Sequence, residues 1–162
     1  MIPLRKWLRA RNAGFTLAEA LISMSIGSAV IAGSLSLFTF FLRSYNMTTL
    51  VSNSAWRADF ALERMVFGVG TNIGLRAATS STVSVSQTST NWTITYNTNL
   101  VFRFTASTGK ITDQSNKVIC SNVVASTVNY WTNGCDLSVT VVERGGGKTA
   151  TNTMSSSVTF RN

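Results

Sequence analysis

The 162-residue chain contains no histidine, only two cysteines and a single proline. Histidine is the usual general base near neutral pH, the usual partner of a nucleophilic serine or cysteine, and the commonest zinc ligand. Two cysteines without histidine do not complete a tetrahedral zinc site either. The composition therefore disfavours hydrolases and metalloenzymes, and we expect no catalytic residue, no metal and no cofactor.

Acidic residues are also scarce. The chain has six Asp and Glu residues and fourteen Lys and Arg residues, which give a net charge of +8. A basic total alone would indicate a nucleic-acid partner, but the basic residues are unevenly distributed. Four of them lie in the first fourteen positions, which hold no acid: Arg5, Lys6, Arg9 and Arg11. Without residues 1–14 the chain would keep only +4. Half of the net charge thus belongs to a short leader.

Charge of either sign is nearly absent from the next segment, residues 15–42, whose only ionisable side chain is Glu19. A helix of 28 residues would be about 42 Å long, which exceeds the hydrocarbon core of about 30 Å. The basic flank is expected to stay in the cytoplasm. Two alternatives are a signal peptide cleaved near Ala32, although the apolar run continues to Leu42, and an uncleaved single-pass anchor, which must accommodate Glu19.

The sequence GFTLAEALI at residues 14–22, after a short basic leader, resembles the processing site of type IV prepilins and type II secretion pseudopilins. The resemblance covers roughly residues 5–42. It implies that a prepilin peptidase cuts after Gly14 on the cytoplasmic side, that Phe15 becomes the methylated N-terminus, and that Glu19 is the acid required for efficient assembly. It also implies a filament of like subunits as the partner.

Glu19 has a physical reason to take part in assembly. Cleavage before Phe15 creates a positive amine four residues from the carboxylate, in a setting where an unpaired charge is costly. We expect Glu19 of a subunit already in the filament to neutralise the amine of an incoming subunit. The alternatives are that Glu19 pairs with its own amine or reaches the membrane interface.

The apolar segment carries small residues at four-residue spacing, in the row Ser25, Ala29 and Gly33 and in a second row of Ser28, Ala32 and Ser36. Such rows allow helix backbones to approach closely inside a membrane or a helix bundle. The family's major subunits typically carry a proline near the middle of this helix, whereas the only proline here is Pro3. This departure favours a minor subunit.

A helical pattern continues beyond the membrane segment, so we expect an amphipathic extension over residues 43–75. Apolar or small residues recur at three- and four-residue steps: Met47, Val51, Ser54, Ala58, Leu62, Met65 and Val69. A second row is aromatic, with Trp56, Phe60 and Phe67. Asp59 and Glu63 resemble paired catalytic carboxylates, but Arg57 and Arg64 beside them favour a solvated helix face. Gly68, Gly70 and Gly74 are expected to end the helix.

Residues 76–162 are predicted to form a β-rich head. From position 79 onward, 39 of 84 residues are Ser, Thr or Asn, and apolar residues often alternate with them. Trp92, Ile94 and Tyr96 share one face, and Leu100, Phe102 and Phe104 repeat the pattern. A closing edge strand is expected over residues 157–161, and Gly145–Gly147 should form a hairpin or loop. The predicted architecture is α+β, a long N-terminal helix packed on an antiparallel sheet, which is also what the resemblance implies.

Asn133–Gly134 is a strong two-residue hairpin signal. It predicts that Thr132 opposes Cys135, that Tyr130 opposes Leu137 and that Val128 opposes Val139.

Cys120 and Cys135 would lie on the translocated side of the membrane, where oxidation is permitted. A bridge between them would close a 16-residue loop and stabilise the head by about 3 kcal/mol. It is similar to the C-terminal disulfide of many pilins, although 27 residues follow Cys135. The alternative is a pair of buried thiols.

The sequence therefore predicts a structural filament subunit that is held in the inner membrane with its N-terminus in the cytoplasm and is later incorporated into a periplasmic or extracellular filament. A membrane-anchored periplasmic enzyme is a second possibility, disfavoured by the missing histidine. A third is a competence-type pilin that binds DNA, since residues 79–112 contain no acid. Salt-dependent DNA binding would favour that third function.

Overall fold

The computed structural model of the chain describes residues 15–69, 72–96 and 99–161. A long helix, α1 (Leu17–Phe67), comes first, and short paired strands and two single-turn 3-10 helices at Leu75–Ala77 and Ser80–Thr82 follow it. The strands are β1 (Gly68–Val69), β2 (Asn72–Ile73), β3 (Val83–Gln87), β4 (Asn91–Tyr96), β5 (Asn99–Thr105), β6 (Lys110–Asp113), β7 (Val118–Cys120), β8 (Val123–Trp131), β9 (Gly134–Gly145) and β10 (Lys148–Thr159).

The chain divides between Arg43 and Ser44 into two compact units. In the first unit, none of the described residues 15–43 is buried. In the second unit, which we call the head, α1 buries one face: Ser54, Ala58, Ala61, Leu62 and Met65. Four of these five belong to the row that the helical spacing predicted, so the amphipathic pattern is confirmed for this part of the helix.

The helix ends at Phe67, one residue before Gly68, whose φ of +90° is accessible mainly to glycine. The prediction that a glycine ends the helix is confirmed at Gly68. The extension is shorter than the predicted 43–75, because β1 and β2 already pair from Gly68 to Ile73. Gly70 lies outside the described residues.

The strands form two antiparallel sheets besides the short β1–β2 pair. Strands β3 to β7 form a five-stranded sheet in chain order, and the second sheet has the order β10-β9-β8. The alternation predicted for β4 is confirmed, because Trp92 and Ile94 are buried while Thr93 and Thr95 are partly exposed. Phe102 and Phe104 on β5 are buried in the same way.

The predicted register of the β8–β9 hairpin is wrong by two residues. Tyr130 opposes Cys135, Val128 opposes Leu137, and Trp131 opposes Gly134, so Thr132 and Asn133 form the turn. Gly134 is already in the strand: a Cβ there would lie 2.3 Å from the Val158 carbonyl oxygen and 2.8 Å from the Trp131 indole. The glycine therefore serves a close approach rather than a turn. A shift of two keeps every side chain on its predicted face.

The other hairpin of this sheet joins β9 to β10 through Gly146 and Gly147, as the glycine run predicted. The closing strand is longer than the predicted 157–161, because β10 already begins at Lys148 and its twelve residues pair with β9.

One hydrophobic core unites both larger sheets with the buried face of α1. Trp92 illustrates the connection, since its ring is buried on β4 while its Nε1 donates a hydrogen bond of 3.1 Å to Ser126 Oγ on β8. The predicted α+β class, a long N-terminal helix packed on antiparallel sheet, is confirmed.

Candidate assembly site

The N-terminal end of α1 is held by Thr16, which lies just before the helix. Thr16 Oγ1 accepts a hydrogen bond of 3.3 Å from the Glu19 backbone N–H, and its carbonyl oxygen accepts one of 3.1 Å from Ala20 N–H. Thr16 is thus the helix cap. This role was not predicted from the sequence, although a threonine followed three residues later by glutamate is the signature of a capping box. Gly14, the predicted cleavage position, lies outside the described residues.

Phe15 and Glu19 both lie on the surface at this end. Phe15 is 70% exposed, and Glu19 is exposed in the first helical turn, where a carboxylate interacts favourably with the helix dipole. Four residues of helix correspond to about 6 Å along the axis. An amine created at Phe15 would therefore lie within reach of its own Glu19 and would also be open to the Glu19 of another subunit, so both alternatives remain available.

The first unit of the chain exposes an apolar surface that has no partner within the described residues. The exposed large side chains between Leu17 and Leu42 are Leu17, Leu21, Ile22, Met24, Ile26, Val30, Ile31, Leu35, Leu37, Phe38, Phe40, Phe41 and Leu42. Burial of one such side chain is worth about 1.5–3 kcal/mol. The helix is long and apolar enough to cross a membrane. This surface therefore fits lipid or the apolar helices of other subunits.

Five hydroxyl groups in the apolar part of this helix donate hydrogen bonds to its own backbone. Ser25 Oγ donates to the Leu21 carbonyl at 2.8 Å, and Ser36 Oγ donates to the Ala32 carbonyl at 2.9 Å. Further bonds of this type are made by Ser28, Ser34 and Thr39. A donor that is satisfied by a carbonyl three or four residues earlier can enter hydrocarbon without losing a hydrogen bond. The serines are thus compatible with a membrane or a helix bundle.

The row Ser25, Ala29 and Gly33 is exposed along its length. No heavy atom lies within 4 Å of a Cβ built on Gly33, so no contact within the described chain requires a glycine there. Close packing of another helix on this row stays a prediction.

Cys120 and Cys135 are buried free thiols in the structure, which is the alternative that the sequence left open, and the disulfide between them stays a prediction. The two cysteines lie in different strands. Cys120 lies in β7 of the five-stranded sheet, with its Sγ 3.8 Å from the Arg57 carbonyl oxygen of α1. Cys135 lies in β9 of the other sheet, opposite Tyr130 and Val158. The two side chains therefore have different neighbours.

Burial disfavours the thiolate form of both cysteines. Burial, and to a smaller extent the neighbouring Asp136 carboxylate, raises the pKa of Cys135 to about 11. Burial also raises the pKa of Cys120, an effect that the Arg57 guanidinium partly opposes. The thiolate is the nucleophilic form, so burial lowers the fraction of each thiol that is in the reactive form.

Polar contacts fix α1 to the second sheet within the head. Asn152 Nδ2 on β10 donates a 2.9 Å hydrogen bond to the Val51 carbonyl oxygen and also contacts Ser54 Oγ. Arg57 Nε lies 3.0 Å from Glu143 Oε1 on β9, so the Arg57 side chain contacts the sheet.

Asp59 and Glu63, the pair that resembles catalytic carboxylates, are exposed as predicted for a solvated helix face. Within the described residues, no three metal-ligating side chains lie together.

A family model described as the prokaryotic N-terminal methylation motif matches residues 9–35. The match covers the end of the basic leader, the predicted processing site, Glu19 and the first three quarters of the apolar segment. No curated protein and no solved structure matches the chain.

Proposed function

We propose that this chain, a type IV prepilin-like protein by its N-terminal motif, is a structural subunit of a type IV pilus or a type II secretion pseudopilus. The observation that carries the proposal is the methylation motif at residues 9–35, which includes most of the exposed apolar part of α1. Prepilin peptidase would remove residues 1–14, and Phe15 would become the methylated N-terminus. The head would then lie on the far side of the inner membrane.

Assembly would transfer the apolar part of α1 from lipid to a bundle of like helices. Both environments are apolar, so the hydrophobic effect alone favours neither strongly. Polar contacts that are stronger in the bundle then decide the direction of transfer. Glu19 and the amine of Phe15 supply such a contact, because each charge is costly in lipid and is neutralised by the other.

The chain would be a minor subunit. Its only proline is Pro3 in the leader, and α1 is continuous from Leu17 to Phe67. A major subunit of this family would typically carry a proline in the first half of that helix. Because α1 of this chain has no proline, it would be a regular rod, along which Ser25, Ala29 and Gly33 would face neighbouring helices.

Mass spectrometry of the N-terminus, in a host that contains prepilin peptidase, tests the proposal. The expected product begins at Phe15 and carries one added methyl group. Gly14→Val should leave the leader attached, whereas Gly27→Val, at a glycine with open space around its Cβ position, should still be processed. An intact Met1 in the parent chain, or a cut near Ala32, would contradict the proposal.

A further inference from the structure

A cleft of about 720 Å³ lies in the head between the C-terminal part of α1 and the end of β10. Side chains of Asp59, Leu62, Glu63 and Phe67 line its helix wall, and residues 155–159 line the opposite wall. This volume is in the range of clefts that bind small ligands. The cleft thus offers space for a loop of another chain.

The cleft carries more negative than positive charge. Asp59 and Glu63 contribute two exposed carboxylates, and Arg76 contributes one guanidinium, which lies 5.5 Å from the Phe67 ring centroid. Among the residues that the structure describes, the only ion pair joins Arg57 and Glu143. Both carboxylates of the cleft are therefore available to a cation from outside the chain.

The tip of the β9–β10 hairpin has the complementary charge. Gly146 and Gly147 form the turn, and the exposed Arg144 and Lys148 flank it. The nearest acid in sequence, Glu143, is occupied by Arg57. The tip is therefore a narrow, basic projection with two glycines at its end, and it has no side chain there that would obstruct entry into a cleft.

The tip and the cleft lie at different levels of the head. Gly145 lies against Leu50 of α1, since a Cβ built on it would be 3.2 Å from Leu50 Cδ2. The cleft lies beside Asp59 to Phe67, between 9 and 17 residues later, which is about 14–26 Å along the helix axis. One chain cannot join its own two surfaces across that distance, but two chains that are staggered along the axis can. A contact between two different surfaces is heterologous, so when it does not close into a ring it can repeat from copy to copy along a filament.

We propose that the basic tip of one copy, Arg144 to Lys148, docks in the acidic cleft of a second copy, against Asp59 and Glu63. The inference rests on the proposed function, because it takes a neighbouring filament subunit as the occupant. It adds a contact between heads to the assembly of the N-terminal helices. It also means that a minor subunit occurs in runs of at least two copies.

Cross-linking in the membrane of a peptidase-positive host tests the contact with the full chain. Two differently tagged copies are co-expressed, one with Ser155→Cys at the cleft and one with Thr149→Cys beside the tip. The matched control replaces Thr149→Cys by Ser89→Cys, which lies on the exposed turn after β3. After oxidation, the 155–149 pair should give a dimer carrying both tags in at least about threefold higher yield than the control, as expected for two complementary charge pairs.

Charge reversal then tests the residues. Asp59→Lys with Glu63→Lys in the cleft copy, or Arg144→Glu with Lys148→Glu in the tip copy, should lower the yield about threefold to tenfold. Both reversals together should restore it. Each reversed copy retains its other surface. A second version of each reversed copy carries its cysteine there instead, Thr149→Cys for the cleft-reversed copy and Ser155→Cys for the tip-reversed copy, and its cross-linking to an unreversed partner confirms that the variant is folded.

Equal yields for the tip and control pairs would overturn the proposal. A loss that is not restored by double reversal, or cross-linking of the cleft cysteine mainly to another host protein, would do so too. N-terminal mass spectrometry on the same samples separates the two proposals. A processed N-terminus without enhanced cross-linking contradicts only the head contact, whereas an intact Met1 contradicts the filament assignment and leaves the cross-link to decide the contact.

Discussion

The same helix has two different surroundings on either side of Arg43. Between Phe15 and Arg43 no described residue is buried, and the large apolar side chains face outward. From Ser54 onward the helix buries five residues, and four of them belong to a hydrophobic core that the helix shares with both larger sheets. One part has its apolar partners inside the chain, and the other part needs them from outside.

This difference separates the two sources of stability. The head gains its free energy of folding from its own core, whereas the apolar part of α1 gains its stabilisation from lipid or from other subunits. Substitutions in the first part should therefore affect association, and substitutions in the second should affect folding. The predictions below test that division.

The largest effect is expected at Glu19. Glu19→Ala should leave processing after Gly14 intact but lower incorporation into filaments at least about tenfold, because a buried amine loses its neutralising partner. Sheared filaments and membranes are compared by quantitative immunoblotting, and the N-terminus is checked by mass spectrometry.

Glu19→Asp is the matched control, since it keeps the charge and should retain most of the incorporation. Normal incorporation of Glu19→Ala would contradict the role of this carboxylate. A failure of processing in that variant would move its role from assembly to recognition by the peptidase.

A pair of isoleucines tests the division more directly. Ile111 is fully buried in the head, so Ile111→Ala should lower the free energy of unfolding by about 2–5 kcal/mol. Ile31 is 61% exposed in the apolar part of α1, and Ile31→Ala should change that quantity by less than about 0.5 kcal/mol. Urea unfolding of the detergent-solubilised full chain, followed by tryptophan fluorescence, measures both. Equal losses would mean that the two parts unfold together.

The N-terminal segment and the fold class could be predicted because their signals are local. The processing motif, the apolar run and the helical spacing of Ala58, Leu62 and Met65 each lie within one continuous stretch. The alternation at Trp92 and Ile94 was equally local, and it fixed the buried face of β4. A side-chain period of two or 3.6 residues is sufficient for such assignments.

The errors arose where distant parts of the chain meet. Asn133–Gly134 is a good local turn signal, but Gly134 is required by Trp131 and Val158, of which the latter belongs to a strand that begins at Lys148. The surroundings of the two cysteines could not be foreseen, because the cysteines are 15 positions apart yet lie in different sheets. The cleft could not be foreseen either, because Asp59 and Ser155 are distant in sequence and line it together only in the folded chain.

The contact between Ser54 and Asn152 should have a smaller effect than the core. Ser54 is fully buried, and Asn152 joins it to β10, so Ser54→Ala should lower the free energy of unfolding by about 1–2 kcal/mol. The matched control is Ser52→Ala on the exposed face of the same helix, with an expected change below about 0.5 kcal/mol. Asn152→Ala and the double variant complete a mutant cycle in urea unfolding. If the two single effects simply add, the side chains do not stabilise each other.

The smallest effect is expected from the thiol of Cys135, which does not change the free energy of unfolding with pH near neutrality. Its pKa is raised to about 11 from an ordinary value of 9.0, so the folded head keeps a proton that the unfolded chain loses first. The thiol therefore contributes its full share to stability below pH 9, and this share is lost as the pH rises through about 11. Urea midpoints measured from pH 8 to 11 should fall more steeply for the parent chain than for Cys135→Ala.

Two outcomes would show that this thiol does not titrate as a free, buried group. One is that the urea midpoints of the two chains fall with pH at the same slope. The other is that the two cysteines of the parent chain resist alkylation even after unfolding without reductant. The second outcome would place the bond between Cys120 and Cys135 back in the head and would make its stability depend on the redox state instead of on pH.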